Sequence, residues 1–75
     1  MEYIHYTNIL RDLLDLKRHE TQILTMANQL DYLIDDEVIK KHIKILIEHI
    51  KEIISDLDTL YYQIADLTNA STDEE

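Results

Sequence analysis

Seventy-five residues with a formal charge of −9 and no Cys, Gly or Pro make one small domain with no disulfide to staple it and none of the usual helix breakers. The lack of Cys argues against a secreted, disulfide-held scaffold, and the acidic balance lacks the basic footprint of a general nucleic-acid binder. The most apolar stretch, Ile45 to Ile54, is broken by Glu48, His49, Lys51 and Glu52, which rules out a bilayer span, and Glu2 stands where a signal peptide needs a basic start, so cytoplasm is the expected compartment.

The first element is read from Tyr6, Ile9, Leu13, Leu16, Glu20, Ile23, Ala27, Leu30 and Ile34. Their alternating spacings of three and four form the seam of a coiled coil and predict a helix over about 3–34, roughly 45 Å long. A second seam follows in Ile39, Ile43, Leu46, Ile50, Ile53, Leu57, Leu60, Ile64 and Leu67. Between Ile34 and Ile39 the spacing is five, and in an unbroken helix the two extra residues would swing the stripe by about 200°. A turn at 35–38 removes that conflict, pairing Ile34 with Ile39, Leu30 with Ile43, Ala27 with Leu46, and so on to Tyr6 with Leu67. The predicted fold is all-α, a coiled-coil-like antiparallel hairpin over 1–68. Asp35 and Asp36 are N-cap candidates, and Asp36 and Glu37 suit the positive end of a second helix over about 37–68. The turn lacks the Gly that commonly ends a helix in a left-handed residue, which keeps a domain-swapped dimer open as the other closure. Residues 69–75 carry no large apolar side chain and are predicted to be a disordered acidic tail.

Beside the seam lies a second apolar strip, Leu10, Leu24, Ile47, Ile54 and Tyr61, interrupted on helix one by Lys17. Left bare, such a strip costs several kcal/mol at about 25 cal/mol per Å². It is therefore the predicted oligomer interface, closing two hairpins into a four-helix bundle, with a groove for a partner's helix as the other reading. Tyr32, Tyr62, Leu14 and Ile45 fall on outer positions, where Tyr in particular suits a contact with another protein.

Chemistry is sparse. All four histidines, His5, His19, His42 and His49, fall on the other flank of the seam, and Glu20 is the one charge inside it. With Glu20, His49 and Glu52 a carboxylate-histidine metal bundle is conceivable, but His49 and Glu52 reverse the Glu-x-x-His order of di-iron bundles. A register-setting Glu20 is the simpler expectation, with no cofactor. Ser55, the one Ser before the tail, has no His on its helical face, and there is no Cys nucleophile or Gly-rich phosphate loop, so no enzymatic activity is expected.

Helix one's outer face reads Arg11, Asp15, Arg18, Gln22, Thr25, Gln29 and Tyr32. In layout the chain resembles the Rop family of plasmid RNA-binding proteins, short hairpins that dimerise into four-helix bundles. That resemblance covers the hairpin without a shared motif, implies an RNA-binding dimer as an alternative, and carries over no site residue. The main expectation is a homo-oligomeric, non-enzymatic adaptor or inhibitor of another protein, of the kind phages and plasmids use as regulators. No basic residue follows Lys51, and the acids Asp56, Asp58 and Asp66, with Tyr32 and Tyr62, are the expected partner contacts, meeting a basic surface otherwise meant for nucleic acid. A metal-binding bundle and a structural subunit of a larger assembly are the other classes.

Overall fold

The computed structural model describes the backbone over residues 2–73 and side chains over 6–68. Two helices make up the fold, α1 (Glu2–Leu33) and α2 (Glu37–Asp73), with no strand among the described residues. At 1.5 Å per residue α2 alone should be about 55 Å long, and the molecule measures 59 × 14 × 12 Å. The two helices therefore lie side by side, as the predicted hairpin requires. Neither is long and apolar enough to cross a membrane, among the described residues.

The turn is residues 34–36, shorter than the predicted 35–38. The amide of Ile34 donates to the carbonyl of Leu30 at 3.0 Å and closes α1. Asp36 then caps α2: its Oδ1 accepts from the Ile39 amide at 3.0 Å, and its carbonyl accepts from the Lys40 amide at 2.9 Å. One carboxylate thus satisfies an amide that helix geometry leaves unpaired and places negative charge at the positive end of the dipole. No described residue takes a positive φ, so the missing Gly costs the turn nothing. Asp36→Ala is expected to lower stability by about 1 kcal/mol, seen as a lower urea midpoint at unchanged slope.

At its far end α2 runs through Asp73, beyond the predicted stop near Leu67 or Thr68. The helical backbone thus continues into the segment read from sequence as an acidic tail. No Gly or Pro follows Thr68 to end the helix.

The packing corrects the predicted seam. On each helix a central apolar row is flanked by two others, and one of these can turn inward with it. The central row, Tyr6, Leu13, Glu20, Ala27 and Ile34 on α1 with Ile43, Ile50, Leu57 and Ile64 on α2, is buried or half-buried throughout, as predicted. Its inward companion is not the row three positions on, but the row four positions on: Leu10, Lys17, Leu24 and Asp31, with Lys40, Ile47, Ile54, Tyr61 and Thr68. Those offsets stand at about −60° and +40° from the central row, so each helix is turned by about 50° from the predicted seam. Ala27 and Ile50, each 3% exposed, and Ile47 form the core cluster, against which Leu24, Ile43 and Ile54 pack. At Ala27 a single methyl lets α2 approach closely, and the larger Ile47 and Ile50 fill the space it leaves.

Candidate interaction surface

The same rotation leaves a different row bare. Ile9, Leu16, Ile23 and Leu30 on α1 and Ile39, Leu46, Ile53, Leu60 and Leu67 on α2 are each 41 to 54% exposed. On both helices these residues occupy equivalent heptad positions. An antiparallel pair is related by a two-fold axis normal to the plane of its helices, so equivalent positions on the two helices share a face. The nine side chains therefore form one largely aliphatic face, two helices wide, with half-buried Glu20 of the central row lying between its two rows. Met26 and Leu33, 62% and 72% exposed, widen it near the turn, and the helical positions of Asp12, His19, His42, His49, Asp56 and Gln63 form its edges.

This corrects the expectation that Leu10, Leu24, Ile47, Ile54 and Tyr61 stand bare on a single hairpin. Ile47 is buried, Leu24 and Ile54 pack on the core cluster, and Leu10 and Tyr61 are half-buried. Together they supply much of the contact between the helices. The opposite face of the hairpin carries the charges of that row. Lys17 Nζ meets Asp58 Oδ1 at 2.7 Å, linking the helices, with both side chains close to two-fifths exposed. The hydrogen bond and the charge of Asp58 hold the Lys17 ammonium above its usual range, with a smaller contribution from Tyr62. Because the folded value is raised, this contribution to stability is complete below the ordinary lysine range, about 10.4, and is lost as pH rises past it. Asp31, on the same row, has an Oδ1 that is buried without a hydrogen-bond partner, a cost that an apolar residue there would not carry. Asp31 lies one heptad step beyond Leu10, Lys17 and Leu24, a spacing plain in the sequence, although its inward placement follows only from the rotation of the helices.

The predicted partner contacts do not converge. Asp56 and Asp66 are exposed, whereas Asp58 is engaged by Lys17. Tyr32 is 86% exposed near the turn and borders a shallow hollow of about 440 Å³ with Thr25, Asn28, Gln29 and Leu33, all from α1. Tyr62 lies across from the early part of α1, about 30 Å away along the hairpin at 1.5 Å per residue, with its ring edge-on to Tyr61 at 5.7 Å. Among the described residues no three of His, Asp and Glu come together to hold a metal ion, so Glu20, His49 and Glu52 are not gathered into one site. Glu20 is half-buried in the central row.

These features define an all-α helical hairpin with one aliphatic face and one charged face. No protein-family model matches the chain, and no curated protein or solved structure does either.

Proposed function

We propose that this chain is a non-enzymatic, homo-oligomeric helical module that binds another protein as an adaptor or inhibitor, its acidic end meeting a basic surface of the kind that holds nucleic acid. The observation that carries the reading is the distribution of charge along the rod. No basic residue follows Lys51, and of the acids beyond it Asp58 is neutralised by Lys17 while Asp56 and Asp66 stand exposed on α2. Exposed acids on α2 beyond Lys51, offset only in part by Arg11 and Arg18 on α1, attract a basic partner over about 8 to 10 Å at physiological salt, and this acts mainly on the rate of encounter.

The test begins with capture of a partner by the immobilised chain in its host's lysate, identified by mass spectrometry. Association is then measured across salt concentrations. Asp56→Asn with Asp66→Asn is expected to slow association severalfold at low salt, with little change in dissociation and a difference that vanishes at high salt. Rates that match the unmodified chain at every salt concentration would reduce these acids to a solubilising role.

A further inference from the structure

We infer that the aliphatic face is covered by a second copy of this chain, two hairpins stacking face to face as a four-helix bundle. The inference rests on the reading of the chain as a homo-oligomeric module and fixes which face the copies share. Its first support is a contrast between rows. A lone hairpin half-buries the row containing Lys17, Asp31 and Lys40 and leaves the nine aliphatic residues the more exposed of the two rows. That is the reverse of what burial favours, unless the aliphatic row is itself covered.

Area gives the second support. A compact monomer of 9.0 kDa is expected to expose about 4,900 Å², and this chain exposes 6230 Å². The surplus goes with the thin two-helix shape, 59 × 14 × 12 Å, which has no second layer over the aliphatic face. The inner core is also thin, with Leu13, Ala27, Ile47 and Ile50 as its buried apolar residues, against an ordering cost of about 1 to 2 kcal/mol for each residue's backbone.

Shape selects the occupant. A single partner helix would sit between the two exposed rows and leave the outer half of each in water. A second hairpin has the same length, the same two-helix width and the same aliphatic rows, with one half-buried Glu20 per copy between them, and the His, Asp and Gln positions along the edges supply the polar rim of such an interface.

The chain has no Cys, so a single introduced thiol reports on one place. Ile53, on the aliphatic face, and Ile45, outside it, are 44% and 53% exposed in the hairpin. An isolated hairpin would therefore let Ile53→Cys and Ile45→Cys alkylate at similar rates. In the bundle, Ile53→Cys should react at least tenfold more slowly at micromolar protein and regain speed on dilution below the dimer's dissociation constant, while Ile45→Cys stays fast. Sedimentation equilibrium of the unmodified chain should give about 18 kDa, twice the 9.0 kDa of one copy, with circular dichroism confirming helix in each variant. A folded monomer overturns the inference, and so does a dimer in which the two thiols react alike. A monomer that still binds its captured partner with the expected salt dependence would overturn the second copy and leave protein binding standing. A face-to-face dimer that captures no partner would do the reverse.

Discussion

Ile47→Lys is expected to unfold the hairpin, removing most of its far-ultraviolet helical signal at neutral pH. Ile47 is 7% exposed and packs with Ala27 and Ile50, in contact with Leu24, Ile43 and Ile54. Losing a buried aliphatic side chain at such a site costs about 2 to 5 kcal/mol before any charge is considered. An ammonium there must also give up water, a cost added to the lost packing. Small domains hold only about 5 to 15 kcal/mol in total, and one with so few buried side chains belongs at the low end. Ile45→Lys is the matched control, since Ile45 is 53% exposed and its ammonium stays in water; it should leave the helical signal unchanged. Equal helicity in the two variants would mean that Ile47 is not part of the core.

Ala27→Leu is expected to destabilise the hairpin for the opposite reason. Ala27 is 3% exposed and packed in the core cluster with Ile47 and Ile50, so the added carbons must push α1 and α2 apart or force side chains off their preferred rotamers. Overpacking of this kind costs about 1 to 3 kcal/mol. At roughly 4 to 8 °C per kcal/mol for a domain of this size, the melting midpoint should fall by something on the order of 5 to 20 °C, although leucine is no worse than most residues as a helix former. Met26→Leu, one residue earlier and 62% exposed, should move it little. A rise in the midpoint for Ala27→Leu would show that the helices are not in close contact there.

Much of the fold was legible because it depends on spacing. The five-residue step from Ile34 to Ile39 located the turn to within a residue or two, and Asp36 was readable as a cap from its place before the second apolar repeat. The choice of rows facing inward was not legible. The row on one side of the central one is wholly aliphatic and the row on the other mixes Leu and Ile with Lys, Asp, Tyr and Thr, and selecting between them turns each helix by only about 50°. That selection goes with tertiary details, the methyl of Ala27 packed against Ile47 and Ile50 and Lys17 reaching Asp58, that a count of apolar positions weighs equally with any other. The same ambiguity moved the candidate surface. A strip named for its apolar content became the inner contact, and half of the expected seam became the outer face. Asp58 shows a further limit. Its charge was plain in the sequence, but its engagement by Lys17 depends on that rotation.

The three-residue turn also has a kinetic consequence. Residues that meet beside it are separated by few bonds, whereas Lys17 and Asp58 meet only after most of the chain has been gathered in. Loop closure favours the nearer contacts first, so the hairpin should close like a zipper from Asp36 outward, in the microsecond to millisecond range of helical proteins with local contacts. The Asp36 cap then belongs to the nucleus and the Lys17 to Asp58 bridge to the last steps. Losing the cap should slow folding, while losing the bridge should chiefly hasten unfolding.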